Sequence, residues 1–247
     1  MTEFLTQLGE FLIAPSTWSG SGSIPTRLAE HIWMSIVPTV VAGIAVLPPA
    51  LWLAHRRRGA ALAGALVNIG RAVPSFGILV IVMVLLIQLG VSVLSPVPAI
   101  VALVALAAPP MFTNAVAGVE TVPGEVVESA RGMGFTGRQV LGRVELPLGS
   151  PVIVEGVRIA LVQVIATAPL AALIGGGGLG RFIVDGFAKQ RGDGELFVGA
   201  VLVGLLAVTA QWGLGAVERR FTPPGVVRRD IGNDPARGSV GQATGPT

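Results

Sequence analysis

The sequence predicts an all-α integral membrane protein of about five transmembrane helices with one long, regular cytoplasmic loop. Three observations predict this class. Of the 247 residues, 52% are hydrophobic and only 13% charged; five stretches are apolar over enough residues to cross ~30 Å of hydrocarbon; and the polar segment between the third and fourth stretches carries helix signals of its own. A mean hydropathy of +0.75 lies well above that of soluble domains, so the chain requires lipid as its solvent. Helices are the expected spanning form, because a helix satisfies its own backbone where no water can.

In chain order, residues 1–27 read as a segment at the outer face, where Phe4, Leu8, Phe11 and Leu12 form an apolar stripe at helical spacing suited to the membrane interface. This stretch carries Glu3 and Glu10 and lacks the basic n-region of a cleavable signal peptide, so insertion is expected to use the internal apolar segments. The membrane domain occupies 28–220. Its spans lie at about 31–54 (His31 to Ala54), 60–89 (Val73 to Leu89 with a lead-in from Ala60), 98–118, 151–174 and 196–217, with the polar loop at 119–150. Residues 221–247 are rich in Gly, Pro and charge and are expected to be a disordered tail.

Lys and Arg set the orientation, because cytoplasmic loops are enriched in them. One set of connections holds eleven: Arg56, Arg57, Arg58, Arg131, Arg138, Arg143, Arg219, Arg220, Arg228, Arg229 and Arg237. The opposite set holds four: Arg27, Arg181, Lys189 and Arg191. The amino terminus is therefore expected outside and the carboxyl terminus inside. A pI near 10.9 does not point to nucleic acid, since the basic residues are scattered between apolar runs and only 5% of residues are aromatic. With no cysteine, disulfides, thiolate metal sites and cysteine nucleophiles are excluded.

The loop ETVPGEVVESARGMGFTGRQVLGRVELPLGSP is too long for a plain connector and reads as two short helices with a glycine turn. In the first helix Pro123 is placed as an early residue, Glu125 and Glu128 lie towards the positive end of the dipole, and Val126, Val127, Ala130 and Met133 are expected to be buried. Gly132 and Gly134 supply the turn. Thr136 and Gln139 have the form of a capping box for the second helix, whose Val140, Leu141 and Val144 share a face and which Pro147 is expected to stop.

The segment ESARGMGFTGRQVLGRVELP resembles the EAA loop of the membrane permeases of binding-protein-dependent ABC importers. That pattern is E-A-A, three residues, Gly, nine residues, an aliphatic, one residue, then Leu-Pro. This chain supplies Glu128, Ser129, Ala130, Gly134, Val144, Leu146 and Pro147, with Ser129 as a small-for-small departure. The resemblance implies a type I importer fold in which about Pro123 to Gly134 is the coupling helix, docking into a groove of a separate ATP-hydrolysing subunit. It implies two such ATP-binding subunits inside, a substrate-binding protein outside, and a second permease copy or a paralogue alongside. It extends from Arg27 to about Val217. The segments His31 to Pro48, NIGRAVPSFGILV from Asn68 to Val80, and GGGGLGRFIVDG from Gly175 to Gly186 are similar to the branch importing glycine betaine, choline and carnitine. Branches for methionine, phosphonates or sulfonates share the architecture.

Gly175, Gly177 and Gly180 fit G-x-G-x-x-G, which elsewhere cradles a pyrophosphate between strand and helix. Here it follows a membrane span on the outer side and is expected to be a close-packed turn beside the outer gate. Ser35 with Thr39, and Gln163 with Thr167, each lie four apart on one helical face and either line the translocation path or hydrogen-bond between helices. Glu155 and Arg158, three apart in span four, are placed to form an ion pair that lowers the cost of each charge in the membrane. Pro74 and Ser75 mark a bend or helix start lining the cavity, and Arg71 lies either at the cytoplasmic surface or in a water-filled cavity. The many Gly and Ala in the spans suit closely packed helices.

An enzyme would present a catalytic constellation. The two histidines, His31 and His55, lie at opposite ends of span one, and neither H-E-x-x-H nor G-x-S-x-G occurs. With no Walker G-x-x-x-x-G-K-[ST], ATP is expected to be bound by a partner and this chain to need no cofactor. The reading is a non-catalytic permease in the plasma membrane, moving a small osmoprotectant such as glycine betaine, choline or carnitine. The alternatives are another solute (methionine, phosphonate, sulfonate) or a passive channel.

Overall fold

The computed structural model describes residues 1–57, 63–65, 74–92 and 95–221. Arg58, the lead-in at 60–62 and 66–73 with Asn68 and Arg71, and the tail from Thr222 with Arg228, Arg229 and Arg237 lie outside the described residues. Every regular element among the described residues is helical: α1 (Thr2–Ile13), α2 (Pro15–Trp18), α3 (Ile24–His55), α4 (Ser75–Gln88), α5 (Val97–Glu120), α6 (Gly124–Gly132), α7 (Gly137–Val140), α8 (Leu146–Thr167), α9 (Gly180–Ala188) and α10 (Asp193–Phe221). A π turn, Leu141–Glu145, joins α7 to α8, and a 3-10 stretch, Ala168–Ile174, follows α8.

Four runs among the described residues are long and apolar enough to span a bilayer: Ile24–His55, Val97–Glu120, Gly137–Ile174 and Asp193–Ala216. Of the remaining expected span, 60–89, the long described helix is α4, an apolar helix of 14 residues that covers about 21 Å at 1.5 Å per residue, short of the ~30 Å of hydrocarbon. The first span begins seven residues before His31, at Ile24, because Ser23 caps it by accepting the Thr26 N–H and a proline sits in its first turn. The boundary expected at residue 27 thus falls inside α3.

α3, α5 and α8 form the centre of the bundle, where Ala42, Leu103, Leu106, Ala107, Met111, Ala160, Val164 and Ala168 are buried together. Small residues set this packing. A Cβ on Gly118 would meet Ile153 at 2.7 Å and the Gly149 carbonyl at 2.8 Å, and one on Gly156 would meet the Pro110 carbonyl at 3.0 Å. Between apolar helices in lipid, close backbone approach supplies the dispersion contact that a hydrophobic drive supplies in water. Large apolar side chains including Ile36, Ile44, Leu205 and Trp212 are exposed on the outside of the bundle, as expected where the surroundings are lipid or another membrane subunit.

The amino-terminal stripe differs from the expectation of a helix lying in the interface. Leu8 and Phe11 pack into a second core with Ile24, Leu179, Phe182 and Val198, and Phe4 meets Phe197 edge-on at 5.4 Å. Gln7 also accepts the Asp193 N–H at 3.2 Å, capping the start of α10. The stripe therefore has a protein partner, α9 and α10, and leaves Leu12 at its edge exposed.

Candidate functional site

The loop between α5 and α8 folds as a small unit with its own core. Val122, Val127, Ala130 and Val140 are buried, with Phe135 and Val144 packed against them. Pro123 caps α6 and Glu125 occupies its first turn, whereas Glu128 lies at mid-helix, beyond the part of the dipole that favours an acid. The expectation that Val126 and Met133 are buried is not met: they are 40% and 71% exposed. The loop core lies on the Val127 and Ala130 side, and α6 ends at Gly132, so Met133 falls beyond its last turn. Val126 and Met133 therefore join Glu128, Ser129 and Arg131 on an exposed face.

The turn has a defined geometry. Gly134 has φ +87°, its N–H donates to the Arg131 carbonyl at 2.9 Å, and the Phe135 N–H donates back to the Ala130 carbonyl at 3.1 Å. These bonds make a Schellman cap, which needs a left-handed residue where glycine stands. At the start of α7 the Thr136 N–H and hydroxyl both donate to Gln139 Oε1, at 2.8 and 3.0 Å, giving the reach-back half of the expected capping box.

Pro147 does not stop the second helix. The chain runs from α7 through the π turn Leu141–Glu145 into α8, with Pro147 in its first turn. The wider i→i+5 turn removes the need for the i−4 bond that proline cannot make. Leu146 is half-buried and Pro147 exposed at this junction. The structure thus brings Glu128, Ser129, Ala130, Gly134, Val144, Leu146 and Pro147 into one unit beneath the bundle.

That unit contains a contact the sequence did not reveal. Glu145 is only 2% exposed, and His55, the last residue of α3, lies with Nδ1 2.6 Å from Glu145 Oε2. A Cβ on Gly137 would lie 3.2 Å from His55 Nε2, so the absence of a side chain there makes room for the imidazole. Ninety positions separate the two partners, and no local signal links them.

At the other end of the bundle, Gly175 (φ +85°) ends the 3-10 stretch and the glycine-rich segment folds against the start of α3. Glu30 Oε2 accepts the Gly178 N–H and Arg27 Nη1, each at 2.8 Å. A Cβ on Gly177 would meet Glu30 at 2.6 Å, and one on Gly180 would meet the Pro169 backbone at 2.6 Å. This is the close-packed turn expected, with a 3-10 stretch where a dinucleotide fold would have a strand. The four cations at this end are each placed against an acid: Arg27 with Glu30, Arg181 with Asp185 at 2.6 Å, Lys189 with Glu195, and Arg191 with Glu10 at 3.7 Å. Arg27, Arg181, Asp185, Lys189 and Glu195, with Ser and Gly of the α2–α3 connection, line a cleft of about 520 Å³ at this end.

The intramembrane polar residues divide. Ser35 and Thr39 are buried, and their hydroxyls donate to the carbonyls of His31 (2.8 Å) and Ser35 (2.7 Å) in their own helix. Thr167 likewise donates to the Gln163 carbonyl at 2.8 Å, whereas Gln163 Nε2 crosses to the Leu106 carbonyl of α5 at 3.3 Å. Interhelical bonding thus describes Gln163 alone of the four. Pro74 caps α4 and Ser75 is its first residue, the helix start expected. Glu155 and Arg158 pair across one turn, and a Cβ on Gly215 of α10 would lie 3.0 Å from Arg158 Nη1.

Residues 46–223 match the family described as the binding-protein-dependent transport system inner membrane component. The glycine betaine/carnitine/choline transport system permease protein OpuCB of Bacillus subtilis (strain 168) is 34% identical over 208 residues, 84% of this chain and 93% of the relative. The carnitine transport permease protein OpuCB of Listeria monocytogenes is 38% identical over 198 residues, covering 80% and 87%. Among solved structures, an inward-facing conformation of the MetNI methionine ABC transporter matches with a TM-score of 0.66 and 25% identity, over 79% of this chain and 96% of that one. With the loop unit, the spanning helices and these matches together, the chain belongs to the binding-protein-dependent transport system inner membrane components, the multi-pass permease subunits of ABC importers.

Proposed function

We propose that this permease imports small quaternary-ammonium osmoprotectants such as glycine betaine, choline and carnitine, with its amino terminus outside and its carboxyl terminus in the cytoplasm. The exposed face of α6 carries the proposal for how energy reaches it. Val126, Glu128, Ser129 and Met133 stand clear of the loop core, offering apolar anchors beside polar groups to a cytoplasmic ATP-binding subunit. Two such subunits, each bound to one permease, would move the permeases against each other as rigid bodies when ATP closes them. ATP sits in the partner, and this chain uses no cofactor of its own and takes no part in catalysis.

The orientation rests on the positive-inside bias, eleven Lys and Arg in one set of connections against four in the other. A substrate-binding protein delivers solute to the outer face, and a second copy of the permease or a paralogue completes the path. Gly177 and Gly180 belong to the turn at the outer gate. Pro74 and Ser75, with the start of α4, face the path; Ser35, Thr39, Gln163 and Thr167 act through packing and helix geometry. The substrate class rests on the printed activities of the Bacillus and Listeria relatives. Methionine is the second reading, favoured by the likeness to MetNI.

Uptake by vesicles holding this subunit, its ATP-binding partner and its binding protein tests the reading. ATP-dependent accumulation of radiolabelled glycine betaine, choline or carnitine is expected. Accumulation of methionine instead would overturn the substrate class, and uptake that persists without ATP would overturn the mechanism.

A further inference from the structure

The interior end of α3 and the loop unit meet at a buried pair that the docking role of α6 does not use. Glu145 is removed from water, so its carboxylate needs a partner in the protein. His55 provides one, with Nδ1 at 2.6 Å from Oε2. A carboxylate only accepts, so the imidazole is the donor. Two local features place the acid and admit the ring. The π turn Leu141–Glu145 ends on Glu145, and Gly137 leaves space beside Nε2.

The same helix that ends on His55 carries Glu30 at its other end, where Glu30 accepts the Gly178 N–H of the outer glycine turn at 2.8 Å. A single element of 32 residues thus touches the loop unit at one end and the outer turn at the other. Chains of packed side chains, hydrogen bonds and secondary elements can carry coupling between distant sites.

We infer that His55 and Glu145 are positioning residues that form a joint, passing displacement of the loop unit to α3 and through it to the outer turn. The inference rests on the proposed docking of α6 to an ATP-binding subunit.

The chain has no cysteine, so the joint can be cut and remade in one sample. In the double variant His55→Cys with Glu145→Cys both partners leave together, and no buried charge is orphaned. Reconstituted with its ATP-binding and substrate-binding partners, the unbridged variant is expected to hydrolyse ATP within about twofold of wild type while solute moved per ATP falls by about fivefold, the range typical of a coupling contact. Bridging the thiols with a short, reducible bifunctional thiosulfonate should restore the ratio, and reducing the linker should lower it again. A merely structural pair would not make the ratio follow the bridge.

A second set covers loss of the double variant on folding. His55→Asn, which keeps a donor where Nδ1 stands, is expected to stay coupled, and His55→Leu is not. Equal coupling in bridged and unbridged forms, or in His55→Asn and His55→Leu, overturns the joint. If in addition Glu128→Lys retains its ATP-binding subunit and Gly134→Val still couples, the docking reading fails with it. If those two loop variants lose docking or coupling, the joint alone has failed.

Discussion

Replacing Gly134 with valine should uncouple the importer without disturbing its bundle, and the structure says why. Nothing lies within 4 Å of a Cβ at this position, yet φ is +87°, so the penalty is one of backbone conformation and not of space. A left-handed residue costs an ordinary side chain about 1–2 kcal/mol, and a β-branched one stands at or above the upper end, about 2 kcal/mol. That approaches the ~1.5 to 3 kcal/mol gained by burying one valine, and the loop core has only four buried residues, Val122, Val127, Ala130 and Val140. The strain therefore competes with the loop's own packing, while the α3–α5–α8 core lies outside its reach. Uptake and ATP hydrolysis in reconstituted vesicles, with co-purification of the ATP-binding subunit, would read the effect. Asparagine tolerates the left-handed region better than alanine does, so the expected order of coupling is Gly, Asn, Ala, Val, although asparagine is larger than alanine. An order that follows size, with alanine above asparagine, would refute the conformational argument, and wild-type uptake by the valine variant would refute the coupling role.

Other substitutions separate the loop from the bundle. Glu128→Lys reverses a charge on the exposed face of α6 and should reduce retention of the ATP-binding subunit by roughly fivefold, an effect that salt should modulate; co-purification at two ionic strengths checks both parts. Val140→Ala, at a fully buried position, should cost about 2 kcal/mol within the loop unit, weakening docking while the thermal unfolding of the detergent-solubilised bundle stays unchanged. Gly156→Val forces a side chain against Asn114 and the Pro110 carbonyl; overpacking of about 1–3 kcal/mol should lower the folded yield and the Tm. Gly204→Ala, where a Cβ meets nothing within 4 Å, should leave both unchanged, and equal losses at the two glycines would contradict the packing described.

The sequence carried the features that are local and repeated. Hydropathy located four of the spans because lipid demands a minimum length and an apolar surface of each. The Gly134 turn and the Gln139 reach-back were legible because caps use particular residues at fixed offsets. Features that depend on what a segment meets in three dimensions were not legible. Val126 and Met133 read as core by spacing, but the core lies on the Val127 side and the helix ends before Met133. Pro147 read as a stop because the π turn that accommodates it leaves no compositional mark. Ser35 and Thr39 bond to their own helix, a choice between equally near carbonyls that spacing does not make. The amino-terminal stripe was recognisable as amphipathic, but lipid and α10 present it with similar apolar surfaces. His55 and Glu145 are joined by tertiary structure alone.

Because this chain has no cysteine of its own, contact between the loop and the energy source can be measured directly by placing one at the loop's most exposed apolar position, Met133→Cys, labelling it with a short maleimide photo-cross-linker and irradiating the assembled importer. A covalent product with the ATP-binding subunit is expected, its yield changing when ATP is bound, together with little product from a cysteine placed at Leu12 of the amino-terminal helix. A product from Leu12→Cys, or none from Met133→Cys in an importer that is assembled and active, would contradict the claim that this loop receives the work of ATP.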